Sequence, residues 1–262
     1  MTAVRRPLST GTTVLRVLER NALTYRQLWM PLLAGFVEPV LYLLGLGVGV
    51  GALVGDIEVD GRTVDYATYV VPGMIAASAM NGALFEATFN FFYKLRYSKM
   101  FDTLLTAPMR LVDILIGEAA FAVVRGTIYA AAFVLVAALL GLTPSPWVIA
   151  TIPAALLIGL AFSAVGYALT TFLRTWHDFD YVNLVIQPLF LASTTFFPLD
   201  VYPGWAQPIV QVTPLYHGVA LCRNLTLGSP GLADVGHAAY LVALGLGCLL
   251  AAQRRLGRML AA

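Results

Sequence analysis

The chain has 262 residues, of which 59% are hydrophobic and 11% charged, with a mean hydropathy of +0.80. A soluble domain carries about 25% charged residues, so 16 Lys and Arg with 14 Asp and Glu cannot cover a body of this size in water. Lipid is the main solvent, and the long, non-alternating apolar runs exclude a barrel. That leaves helices of roughly 20 residues, about six of them for this length.

Residues 1–30 are polar and basic. Leu15, Leu18, Ala22, Tyr25 and Trp29 recur every three or four positions, with Arg16, Glu19, Arg20 and Arg26 on other faces. This is the pattern of an amphipathic helix in the headgroup layer, favoured over a plain cytosolic lead-in. No apolar run follows Arg5 and Arg6 within twenty residues. The first span is therefore expected to stay and act as the insertion signal.

Six spans are expected near 31–54, 69–92, 111–140, 147–172, 182–197 and 235–252, in one domain covering 1–262. The first contains two small-xxx-small series, Gly45/Gly49 and Gly47/Gly51/Gly55. These suit either close packing in the bundle or a dimer contact. The fifth is short and carries Pro188, which frees a backbone carbonyl and favours a kink. The segment 198–234 is rich in proline and aromatics but poor in charge, the composition of short outer helices dipping back into the bilayer. The expected fold class is thus all-α integral membrane. It has six transmembrane helices, an N-terminal amphipathic interfacial helix and short outer re-entrant helices before the last span.

Thirteen of the sixteen positive charges fall in the arm, the 94–110 connection, Arg174 and the tail. The positive-inside rule then puts both termini in the cytoplasm. Cys222 and Cys248 imply no disulfide framework.

Ionisable groups within spans are costly, at least ~2.5 kcal/mol each at mid-membrane. Glu38, Glu86 and Glu118 each lie six or seven residues from the basic end of a span, about 10 Å deep by helical rise. They are expected to form one layer. Arg125 sits seven positions past Glu118 on nearly the same helical face and needs a carboxylate or carbonyl partner, with a Glu118–Arg125 pair as one structural reading. The layer suits a gate or path as well as it suits pairs that set helix register. His177, Asp178 and Asp180 read as a helix-capping turn rather than metal ligands. His217 and His237 are far apart in sequence, away from the level of the glutamates. The chain lacks a Walker A loop, a Gly-x-Ser-x-Gly elbow and a His-Glu-x-x-His motif.

The connection from Phe92 to Arg110 places Met100, Phe101, Leu104 and Leu105 at helical spacing beside Lys94, Arg96 and Lys99, with Pro108 as punctuation. Apolar residues beside charges suit docking to another protein, or equally a helix lying on the membrane.

With this stretch the chain resembles the type-2 ABC exporter permeases, and among them the nodulation lipo-oligosaccharide and daunorubicin-type drug exporters. The resemblance rests on Glu38-Pro-Val-Leu-Tyr through Gly51, on Tyr69-Val-Val-Pro-Gly73, and on Phe85-Glu-Ala-Thr-Phe89 through Leu104-Leu-Thr-Ala-Pro108 with Gly117-Glu118. It extends to Pro214-Leu-Tyr-His217, Arg223 and Leu227-Gly228. It implies a transport subunit rather than an enzyme, in a bacterial cell membrane. A separate cytoplasmic ABC ATPase would bind ATP and Mg, and the chain itself would hold no cofactor. It also implies a permease homodimer, or pairing with a related permease, among membrane lipids. The substrate would be an amphipathic drug or a lipo-oligosaccharide. Lys94, Arg96, Lys99, Phe101, Leu104 and Pro108 would couple to the ATPase, and the tight-packing glycines, Arg125 and Pro188 would be moving joints. Two other readings stand beside it: an ion-coupled secondary transporter using Glu38, Glu86 and Glu118, and, ranked lower, an integral-membrane lipid-modifying enzyme.

Overall fold

The computed structural model describes residues 9–27, 37, 39–59, 61–98, 100–105, 107 and 109–261. Four of its helices are long and apolar enough to cross a membrane: α3 (Tyr66–Tyr97), α5 (Leu111–Leu139), α6 (Pro146–Thr170) and α10 (Leu232–Ala261). These match the second, third, fourth and sixth expected spans to within a few residues at most ends. α10 runs on past 252 to the end of the described chain.

The first and fifth expected spans differ. The first begins outside the described residues, and its visible part is the shorter helix α2 (Pro39–Val54). The fifth is α7 (Phe179–Leu191), of 13 residues, about 20 Å long against the ~30 Å of a hydrocarbon core. Pro188 does not kink a longer helix. Helix α7 ends three residues after it, and Thr194 then turns the chain with φ 57°. Beyond it lie a short 3-10 turn (Leu199–Val201), α8 (Gln207–Val212) and α9 (Pro214–Thr226).

One element departs from the all-α expectation. Asp56–Val59 (β1) pairs antiparallel with Arg62–Asp65 (β2), Val59 opposite Arg62. The two-residue connection needs a left-handed position, and Gly61 supplies it at φ 72°. Asp65 then caps α3, its carboxylate accepting from the Ala67 and Thr68 amides at 3.0 and 3.4 Å.

Helix α3 is the centre of the bundle, packed by α5, α6 and α9. Some 89% of its most apolar window is buried inside the protein, against 17% for α10, which therefore turns most of its surface to the surroundings. The larger core gathers Tyr69, Met74, Met80, Phe133, Ile158 and Leu215. A second core at the basic end holds Phe91, Phe101, Ile114, Leu115, Tyr167 and Leu256.

The amphipathic N-terminal helix α1 (Thr10–Gln27) packs on α5, and does so through a different face from its expected apolar stripe, of which Leu15 stays exposed. Thr13, Val17 and Asn21 are buried while Leu15 and Leu23 are exposed. The reason lies in Gly117, where a Cβ would come within 2.7 Å of Val17. Missing that atom, α5 admits α1 along the Thr13–Val17–Asn21 stripe.

Candidate functional site

Near its basic end α3 widens into two π-helical turns, Glu86–Asn90 and Tyr93–Tyr97, a distortion that often marks functional sites. They hold Glu86, Asn90 and Lys94 in line. Lys94 Nζ donates to Glu86 Oε1 at 2.9 Å and to Glu118 Oε2 on α5 at 2.7 Å. Glu86 and Glu118 thus share one lysine and lie in one layer. Glu38, the third expected member, lies outside the described residues.

The cluster continues on both sides. Arg125 Nη1 donates to Glu86 Oε2 at 3.0 Å and to the Tyr25 hydroxyl at 2.9 Å. Its other nitrogens reach the Tyr129 hydroxyl, and its guanidinium faces the Phe85 ring at 4.9 Å. Asn90 Nδ2 donates to Glu86 Oε2 at 2.6 Å. On the other carboxylate, Arg20 donates to Glu118 Oε1, and Asn21 Nδ2 to Oε2 at 3.2 Å. The partner of Arg125 is therefore Glu86, on the neighbouring helix, and not Glu118 on its own. Seven residues of helical rise (~10 Å) separate Glu118 from Arg125 along α5, whereas the α3–α5 contact sets Glu86 beside it.

Tyr25 ties the cluster to α1. Its hydroxyl donates to Glu86. Burial first, and then the Glu86 charge, push its phenol far above the ordinary value, so it stays a protonated donor. Arg20, Asn21 and Tyr25 were missed as site residues because they read as the surface of an interfacial helix. The sequence offers only the Arg20-Asn21 pair inside the amphipathic stretch, and nothing in it says that Asn21 is buried. Tyr25→Phe is expected to cost about 1–3 kcal/mol by leaving buried polar groups short of a partner. Amide exchange should accelerate in α1 and not in α6; uniform acceleration would count against a local tie.

Outside the cluster, the connection is only partly as expected. Phe101 is 1% exposed and packs edge-on to Phe91 at 5.2 Å, so it is core and not a docking residue. Leu104 is half-buried on the same core. Lys94 points into the cluster, while Lys99 and Pro108 lie outside the described residues. The exposed face is instead aromatic. Tyr93 (55%), Tyr97 (54%) and Trp176 (42%) stay open, with Tyr97 stacked on Tyr93 at 6.2 Å and on Trp176 at 5.5 Å. Arg96 is pinned there through the Leu173 carbonyl at 3.2 Å. Asp178 closes a capping box with Thr175 in the same turn. Its carboxyl is held below the usual range by the Arg174 and Thr175 amides, as the capping reading expects.

At the opposite end, His217 on α9 and His237 on α10 meet, Nδ1 to Nδ1, at 2.8 Å, with Tyr240 stacked on His217. Chain distance had hidden this contact. Burial, then the neighbouring His237, hold His217 below its ordinary value. Beside them a mixed-polarity cleft of about 500 Å³ is lined by Glu58, Tyr69, Asp200, Tyr216, Arg223 and His237 among others. It adjoins an apolar cleft of about 590 Å³ lined by Leu46, Val50, Leu191 and Phe196, and both include Glu58, Pro198 and Asp200. Pro188 belongs to neither cleft nor the charge cluster.

The ABC-2 type transporter family matches residues 12–227. Nodulation protein J of Rhizobium meliloti (strain 1021) is 32% identical over 228 residues, covering 86% of this chain and 85% of that protein. Nodulation protein J of Rhizobium leguminosarum bv. viciae is 34% identical over 222 residues, 84% of each chain. The inner membrane transport permease YadH of Escherichia coli (strain K12) is 25% identical over 217 residues, 80% of each.

Proposed function

This chain belongs to the ABC-2 type transporter family, and from that premise we propose that it is the six-span permease subunit of an ATP-driven exporter. ATP and Mg are bound by a separate cytoplasmic ATPase, and two permeases form the path, as a homodimer or with a related chain. The cargo is an amphiphile, a drug or a lipid-linked oligosaccharide, taken from the cytoplasm or inner leaflet. Both termini face the cytoplasm of a bacterial cell, and the short helices α8 and α9 are re-entrant near the exit.

The charge cluster is the observation that carries this reading. It joins α1, α3 and α5 through bonded, buried groups directly beside the Tyr93–Tyr97–Trp176 face. A push on that face moves three helices as one body, which is what coupling to an ATPase requires. Aromatic side chains with arginine are also the composition of binding hot spots. The adjoining mixed-polarity and apolar clefts at the other end suit the two halves of an amphiphile. Ion coupling through Glu86 and Glu118 is disfavoured, since both carboxylates are already filled with cationic donors.

The test is ATP-driven accumulation of the cargo inside inverted vesicles with the partner ATPase present. Arg96→Glu with Tyr97→Ala should lower ATPase co-purification and transport by on the order of tenfold, with thermal stability little changed because both side chains are exposed. Wild-type pumping by the double variant, or transport that persists without ATP, would defeat the proposal.

A further inference from the structure

Arg254, Arg255 and Arg258 line a cleft of about 590 Å³ whose other walls are Phe172, Ala251 and Met259. The spacing within α10 explains one side of it, since positions 251, 254, 255, 258 and 259 share a helical face. The other side comes from α6, which packs along α10 and ends at Thr170. There Arg255 Nε donates to the Thr171 carbonyl at 3.2 Å, and the guanidinium lies 3.7 Å from the centre of the Phe172 ring. Those contacts hold the side chain in place and occupy only one of its three nitrogens. No carboxylate lines the cleft. None of the three arginines enters an ion pair among the described residues.

Charge and polarity therefore split across the cleft, with cations on one wall and apolar groups on the other. Phe172 is 60% exposed, two residues past the end of one membrane-length helix, and the arginines occupy the last turns of another. That is the depth at which hydrocarbon gives way to headgroups.

We propose that this cleft binds the headgroup of an anionic phospholipid. Its phosphodiester lies among Arg254, Arg255 and Arg258, and its glycerol and first acyl carbons lie against Phe172 and Met259. Guanidinium groups suit phosphate through paired hydrogen bonds, and the apolar wall gives an inorganic anion nothing to contact. A lipid seated there bridges α10 to the end of α6 at their basic ends, where Arg255 donates to the Thr171 carbonyl.

The experiment uses the full chain purified in neutral detergent. It is titrated with phosphatidylglycerol, phosphatidylcholine or inorganic phosphate, and read by thermal shift and by lipid stoichiometry in native mass spectrometry. Phosphatidylglycerol should saturate at one tight site per chain and raise the melting temperature, with the other two ineffective. Arg255→Gln should weaken it about fivefold, and the triple glutamine variant by on the order of 100-fold. The triple lysine variant should keep most of the affinity. An unchanged melting temperature without lipid shows that each variant is folded, and Arg255→Gln alone decides the matter if the triple variant does not accumulate. Equal shifts with phosphatidylcholine, equal shifts with inorganic phosphate, or unweakened binding in the glutamine variants would each overturn the proposal. So would displacement of the lipid by the partner ATPase, which would assign the face to that protein.

Discussion

Glu86→Leu is expected to destabilise the protein by about 3–5 kcal/mol in thermal unfolding of the detergent-solubilised chain, the cost of stranding a buried charge partner. Glu86 accepts from Arg125, Lys94, Tyr25 and Asn90. Without it, Arg125 keeps only hydroxyl and ring partners in a site where it is nearly inaccessible. Arg125→Met is expected to cost less than half as much, because Glu86 retains Lys94, Tyr25 and Asn90. The asymmetry is the diagnostic. The double variant Glu86→Leu/Arg125→Met should recover much of the loss, since Lys94 still has Glu118. Equal losses in the two single variants, or strictly additive losses in the double, would mean that the pair is not the unit described here.

The second large effect concerns backbone approach. A Cβ at Gly126 would collide with the Ala79 carbonyl oxygen and lie 3.2 Å from the Ala83 amide nitrogen, while one at Gly82 would fall 2.7 Å from the Gly126 Cα. These neighbours are main chain and cannot turn aside. Gly126→Ala is expected to cost about 1–3 kcal/mol by overpacking, and Gly126→Leu to abolish monodisperse protein in size-exclusion chromatography. Gly45, by contrast, has nothing within 4 Å of its Cβ position. Gly45→Leu should leave the monomer's stability unchanged, and a loss of dimer in that variant would place the partner permease on α2. Accumulation of folded Gly126→Leu would refute the close crossing.

The two glycine predictions show where the sequence was legible and where it was not. The series at 45, 47, 49 and 51 is conspicuous in the chain, yet among the described residues Gly47 and Gly51 make the α2 contacts and Gly45 makes none. Gly82 and Gly126 carry the tightest contact and belong to no repeating series, because their pairing lies between two helices. Phe101 shows the same limit. Helical spacing placed it on an apolar stripe correctly, but spacing does not say whether that stripe meets a partner or its own core.

Membrane class, the long spans α3, α5, α6 and α10, and the crowding of positive charge at one end follow from the sequence by itself. Hydropathy sums locally along the chain, and a charge in hydrocarbon is costly whatever surrounds it. The shared depth of Glu86 and Glu118 was readable for the same reason, since helical rise converts residue count into depth. Partner choice was settled only by the tertiary structure: Arg125 with Glu86, Tyr25 and Asn21 within the cluster, His217 against His237. Depth along one helix is a one-dimensional quantity. A hydrogen bond is decided at about 3 Å, by how helices distant in sequence are turned toward each other when they pack.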